Sequence, residues 1–186
     1  MSDYTYPLVA LLFGNARVGR RAIRERYALH QFNVKVDYCI EPWYGQHLTI
    51  EGGTIAVQLE LYTDYPIAEA FMKNIWIPNS GIYIIVYSID NLESFKALSK
   101  HREKMYEILN KRVGDEIIYA ICGTKSDLEN NREVSTEEGE RLAEKWGCMF
   151  FEISSKLGVN IDEMVFTLVS QFKKKGLKTQ KQMDTN

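Results

Sequence analysis

Phe13-Gly14-Asn15-Ala16-Arg17-Val18-Gly19-Arg20-Arg21 is the stretch on which the reading of the chain turns. Before it runs Leu8-Val9-Ala10-Leu11-Leu12, a continuous apolar segment of the kind that forms a strand buried on both faces. After it, residues 22–29 read as a helix. Strand, Gly-x-x-x-x-Gly turn and helix are the layout of a phosphate-binding loop. In such a loop, backbone N–H groups and the positive end of the helix face an anion. The usual ending is Gly-Lys-Ser or Gly-Lys-Thr, whereas this one is Gly19-Arg20-Arg21. Arg20 stands where a lysine reaches the outer phosphates, and Arg21 where a hydroxyl holds Mg²⁺.

Working outward, residues 31–44 show neither a helical nor an alternating period and read as a long surface loop. Residues 46–50 are short and strand-like, and Gly52-Gly53 is a hairpin turn signal. Ile55, Val57, Leu59 and Leu61 alternate with Ala56, Gln58 and Glu60, as in a half-buried strand. The spacing predicts a helix over 67–77, stopped by Pro78-Asn79-Ser80-Gly81. Strands are expected at 82–87, 117–122 and 149–153, with a helix over 92–110 between the first two. Ser135-Thr136-Glu137-Glu138 is a capping box opening a helix to about Trp146, with Gly147 ending it. Ile161, Met164, Val165, Leu168, Val169 and Phe172 form one apolar helical stripe.

Apolar strands alternating with helices imply an α/β fold, a mostly parallel sheet covered on both faces. Ligands of such sheets sit beyond the carboxyl ends of the strands. The Gly14 loop, Gly123-Thr124-Lys125-Ser126-Asp127 and Ser154-Ser155-Lys156 all fall at such ends. Three separate loops meeting at one sheet edge point to one ligand site.

The 186 residues suffice for a single domain with a full core, expected over 7–175 between an N-terminal tail at 1–6 and a flexible tail at 176–186. A net charge of −2 exerts no general pull on nucleic acid, and no nucleic-acid partner is expected. Cys39, Cys122 and Cys148 match neither a disulfide framework nor a zinc site. With no apolar run of membrane-spanning length and no signal-peptide pattern, a cytoplasmic setting is expected. The end of the chain carries no cysteine for prenylation, so no lipid anchor is visible. The basic run Lys173-Lys174-Lys175 with Lys178 and Lys181 is expected to be a solvated helix end, with weak contact to anionic lipid as the alternative.

Gly123-Thr124-Lys125-Ser126-Asp127-Leu128 and Glu152-Ile153-Ser154-Ser155-Lys156 are similar to the guanine-reading motifs Asn/Thr-Lys-x-Asp and Ser-Ala-Lys. With the Gly14 loop at the right distance upstream, the chain resembles a Ras-superfamily small GTPase, nearest the Ras/Rap branch, over about residues 7–175. The resemblance implies a P-loop NTPase fold, a Ras-like G domain with a six-stranded sheet. It implies a nucleotide, GTP or GDP, held by Gly14, Asn15, Ala16, Arg17, Val18, Gly19, Arg20, Arg21, Phe32, Thr124, Lys125, Asp127, Ser154, Ser155 and Lys156. The residue types suit that task. A carboxylate such as Asp127 accepts two parallel hydrogen bonds from guanine N1–H and its amino group, which adenine cannot supply. The resemblance further implies that the stem of Lys125 would lie over the base, that Ser154 with the Ser155 backbone would complete the pocket, and that Phe32 falls where the family places an aromatic ring edge-on to the base.

The departures fall on one function. Arg20 keeps a charge but not the compact shape of an ammonium, and Arg21 has no lone pair for a metal. The switch-one threonine that ligates Mg²⁺ in the family corresponds to Cys39, a poor ligand for a hard cation. The family's Asp-x-x-Gly-Gln corresponds, without gaps, to Leu61-Tyr62-Thr63-Asp64-Tyr65. A shifted alignment offers Asp64 as the acid but puts Pro66 and Ile67 where Gly and Gln belong. Phosphoryl transfer of the Ras type needs Mg²⁺, a P-loop lysine and a positioned water. The expectation is therefore a pseudoGTPase with no catalytic residues and no Mg²⁺ ligated in the usual way. Three readings stay open: a non-catalytic nucleotide holder whose arginines replace the metal, a nucleotide-free interaction scaffold, and a slow GTPase completed by a partner. The resemblance also implies a protein effector or scaffold docking on the first-switch surface at Ile40, Glu41, Trp43 and Tyr44.

Overall fold

The computed structural model describes residues 7–32, 45–50, 53–63, 65, 68, 70, 72–111 and 117–176. The strands are β1 (Leu8–Phe13), β2 (Gly45–Ile50), β3 (Gly53–Leu61), β4 (Ser80–Ser88), β5 (Ile118–Thr124) and β6 (Met149–Glu152). The helices are α1 (Arg20–Leu29), α2 (Leu92–Lys96), α3 (Leu98–Ile108), α4 (Thr136–Trp146) and α5 (Ile161–Lys174). The sheet order is β2-β3-β1-β4-β5-β6. β2 and β3 pair antiparallel, with Ile50 opposite Gly53, and the other four pairings are parallel. This is the expected α/β architecture, a six-stranded, mostly parallel sheet with helices on both faces.

Successive strand residues point to opposite faces, and β1 divides accordingly. Leu8, Ala10 and Leu12 join Ile23 and Tyr27 of α1 and Ile161, Leu168 and Phe172 of α5 in one core. Val9, Leu11 and Phe13 join Leu98 and Met105 of α3 and Ala143 of α4 in the other. Every residue of β1, β4 and β5 is buried, which explains their unbroken apolar sequences. The apolar stripe on α5 is buried along its length, and the Ser135–Glu138 capping box is formed in both directions at the start of α4.

Three expectations are corrected. The segment 92–110 is two helices rather than one. Ala97 has ψ −9, well off the helical value, and the step lets Phe95 meet the Tyr87 ring edge-on at 5.0 Å while Leu98 enters the core. Ser80 and Gly81 do not stop a helix but begin β4. Gly81 is small for another reason: a Cβ there would lie 2.4 Å from the Phe172 ring. Before it, Met72–Trp76 is a π-helical turn running into Ile77–Asn79, with Pro78 inside the helical segment. β5 continues through Gly123 and Thr124, which pair with Tyr87 and Ser88. Residues 33–44, including Cys39, Ile40, Glu41, Trp43 and Tyr44, lie outside the described residues, as do Asp64, Pro66, Ile67, the expected N-terminal tail and residues 177–186 of the C-terminal one. Among the described residues, no helix is long and apolar enough to cross a membrane.

Candidate functional site

The parallel register brings the carboxyl ends of β1, β3, β4, β5 and β6 to one edge, with Leu12 beside Leu61, Phe13 beside Ile85, Ser88 beside Thr124 and Gly123 beside Glu152. The loop after β1 begins at Gly14, where φ is 145 and a Cβ would meet the Val86 carbonyl at 2.4 Å. Only glycine fits there. Gly19 precedes α1 with φ 97. Between them Arg17 holds φ 66, a left-handed conformation that costs a side-chain-bearing residue some energy. Asn15, Ala16 and Arg17 are exposed, whereas Val18 is buried. Thr124 is buried, and its hydroxyl lies 2.6 Å from the Val18 carbonyl and 3.0 Å from that of Tyr87. Thr124 therefore ties the phosphate loop to the ends of β4 and β5.

The helix that follows opens with two cations and no acid in its first turn. Cations are unfavourable at the positive end of a helix, by about 0.3–1 kcal/mol each, so the local charge suits an anion. Arg20 is half-buried. Its Nη1 donates to the Tyr62 carbonyl at 2.8 Å and lies 3.4 Å from the Leu12 carbonyl. Burial lowers its pKa from the ordinary arginine value. Arg21 is more exposed, with Nε 3.9 Å from the buried Glu25 carboxylate one turn on. The two arginines thus part company: one is woven into the ends of β1 and β3, the other lies along the outside of α1.

The base side of the site is assembled by backbone links between loops. Ser126 N–H donates to the Ile153 carbonyl at 3.1 Å, and Ile153 N–H donates to that of Gly123 at 2.8 Å. Ser154 Oγ donates to Asp127 Oδ1 at 2.6 Å and accepts from Leu157 N–H at 3.1 Å. Lys156 Nζ stands 3.9 Å from Asp127 Oδ2. A carboxylate offers about four lone-pair sites, so these contacts orient Asp127 and leave it able to accept a parallel pair of N–H groups. Ser154 and Ser155 are buried. Lys125, at φ 60, extends its ammonium to Asp90, 3.2 Å from both oxygens. Phe32 is 39% exposed at the end of the segment after α1, and nothing described packs it into the pocket.

Several participants escaped the sequence reading. Asp90 follows the end of β4, and the rule that sites gather at strand ends was sufficient to draw attention to it. His101 of α3, whose Nε2 lies 2.7 Å from Asn15 Oδ1, had no such signal, because the contact spans the fold. Arg26 is similar: its guanidinium packs so close to Gly158 that a Cβ there would meet Nη2 at 2.5 Å.

The family model for the Ras family matches residues 9–174. The chain belongs to that family, and its scaffold is that of a small GTPase. Guanine-nucleotide binding is a general property of the family. The donor set for the family's Mg²⁺ does not fit. Arg20 and Arg21 carry only N–H donors at the sequence positions where the usual loop has a lysine and a hydroxyl, and Leu61 ends β3 with an alkyl chain.

Proposed function

We propose that this protein holds a guanine nucleotide without hydrolysing it and acts as a protein-interaction module in signalling. The observation that carries the reading is the contrast within one site. Asp127 is held by Ser154 and stands near Lys156, with lone pairs left for a base, while arginines stand at both sequence positions where the usual loop has a lysine and a hydroxyl. A guanidinium attracts phosphate as a metal does, but it does not ligate and polarise a water or a γ-phosphate oxygen in the same manner. Charge for binding is retained and the machinery for phosphoryl transfer is not. The partner surface in this reading is the first-switch segment with Ile40, Glu41, Trp43 and Tyr44, presented in one form irrespective of the terminal phosphate. Cytoplasmic residence fits the same role.

The test is to denature the purified protein, identify released nucleotide by chromatography, and repeat after exchange in EDTA. Nucleotide in near-equal amount to protein that survives chelation supports the reading, and GTP in preference to GDP supports absent hydrolysis. Loss of nucleotide on chelation with recovery on adding Mg²⁺ overturns the metal-free part. A blank in both samples, and in a titration with GTP and Mg²⁺, leaves the nucleotide-free scaffold.

A further inference from the structure

Asn15 and His101 connect the phosphate loop to a helix on the far core of the sheet. Asn15 is the second residue of the loop, and His101 lies on α3, which Leu98, Met105 and Tyr106 anchor in the core. With Oδ1 of Asn15 facing the ring at 2.7 Å, Nε2 carries the hydrogen and donates it. Nδ1 is then the nitrogen that takes up a proton, and it can do so without breaking the bond to Asn15. We propose that His101 is proton-linked to the phosphate loop through Asn15: a nucleoside di- or triphosphate seated on the Gly14–Gly19 loop is held together with one proton taken up by His101. The inference rests on the nucleotide-holding reading and adds a residue and a pH dependence to it.

The surroundings of the ring supply the driving force. Half-burial depresses its pKa below the ordinary value, and the positive charges of Arg20, from α1, and Lys100, on its own helix, depress it further. Among the described residues, then, the charges acting on the ring are cationic. In the absence of an anion the ring is neutral near pH 7. A phosphate group brings about −1.5 to −2 charges to the loop, reverses the sign of the local field and favours the imidazolium. The sign of the linkage follows. A ligand that raises the pKa binds the protonated form more tightly, so affinity grows as pH falls through the bound-state value and levels off below the free-state value. A rise of about one unit in the His101 pKa corresponds to about a tenfold gain in affinity.

The test is calorimetric binding of GDP to the full chain at about pH 6 in two buffers of different ionisation heat, for the natural protein and for His101→Gln. Affinities are also measured at about pH 5.5 and about pH 7.5, on either side of the ordinary imidazole value of about 6.5. The phosphate of GDP itself titrates in this range, so the difference between the two proteins carries the result. The expected outcome is greater proton uptake by the natural protein, with an acid-side gain in affinity about tenfold larger than in the variant. Equal proton uptake and equal pH slopes overturn the proposal while leaving nucleotide holding intact. Failure of GDP and GTP to bind at either pH overturns both. If His101→Gln fails to fold, ring NMR of the natural protein decides: a His101 pKa raised by GDP supports the proposal, and an unmoved one refutes it.

Discussion

Arg20 Nη1 donates to the Tyr62 carbonyl at 2.8 Å, so the first residue of α1 is bonded to the residue that follows β3. Tyr62 is fixed in turn. Its N–H donates to the Leu12 carbonyl at 2.9 Å, and its ring stacks on Phe13 with centroids 4.6 Å apart. The start of α1 and the chain leaving β3 are therefore one structural unit. Arg20 Nη1 also lies 3.4 Å from the Leu12 carbonyl, so one guanidinium spans the ends of β1 and β3.

Restoring the ordinary loop should restore the ordinary metal. The double substitution Arg20→Lys with Arg21→Ser supplies a compact ammonium and a hydroxyl oxygen at the loop. We expect its affinity for GTP to fall about tenfold or more on chelation, while that of the natural protein changes little; a charged contact of about 1.5–3 kcal/mol sets the scale. Displacement of a fluorescent guanine nucleotide with and without EDTA measures both. Equal sensitivity in the two proteins counts against arginines replacing the metal.

Asp127→Asn keeps the shape of the base pocket and changes its hydrogen-bonding pattern. An amide presents one acceptor and one donor pair where the carboxylate presents acceptors alone. Loss of two charge-assisted bonds corresponds to about two to four powers of ten in guanine-nucleotide affinity. Xanthine, with a carbonyl in place of the amino group, should lose less or gain. Competition between GDP and xanthosine diphosphate reads the exchange, and an unchanged preference for guanine removes Asp127 from the site.

Gly14→Ala addresses the loop itself. The added Cβ meets the Val86 carbonyl at 2.4 Å at a backbone φ of 145. Strain and overpacking together predict a loss of about 2–5 kcal/mol of stability. Urea unfolding should show a lower midpoint with an unchanged slope. An equally stable variant means that the loop stands off β4.

The acid limb of the stability profile should report on Asp90. Burial pushes its carboxyl up, but hydrogen bonds from Ser88 and Lys125 and the charge of Lys125 outweigh that and hold it below the usual carboxylate value. A folded-state pKa below the unfolded one of about 3.9 contributes stability that is present above about pH 4. That stability is lost as pH falls through the lowered folded value. Asp90→Asn should therefore be less stable at neutral pH and should lose less on acidification. Unfolding free energies at about pH 3 and about pH 6 test the difference, and parallel profiles contradict it.

The fold was largely legible because its signals are local. Five of the six strands lie in a single parallel array, and the buried ones read as unbroken apolar runs. The stripe from Ile161 to Phe172 and the capping box at Ser135 each need only a few neighbours in sequence to be recognised. Where local signals misled, packing was the cause. Gly81 reads as a stop but is the space into which Phe172 fits, and the long helix after Asn91 is divided at Ala97, where Phe95 meets Tyr87 and Leu98 is buried in the same core.

The sequence by itself determined that a phosphate loop, a guanine-type motif and a serine-rich loop lie at one edge of a parallel sheet. It also determined that the loop carries arginines where lysine and a hydroxyl are usual. Residue type and spacing are enough for that, since strand direction places every carboxyl end on the same side. Only the tertiary structure decided what those side chains touch: Arg20 on the Tyr62 carbonyl, Thr124 on the Val18 carbonyl, Lys125 on Asp90, and His101 on Asn15. These partners are between 35 and 106 residues apart in the chain. A hydrogen bond depends on distances of a few tenths of an ångström, which are set by how two elements pack and leave no periodic trace in either one.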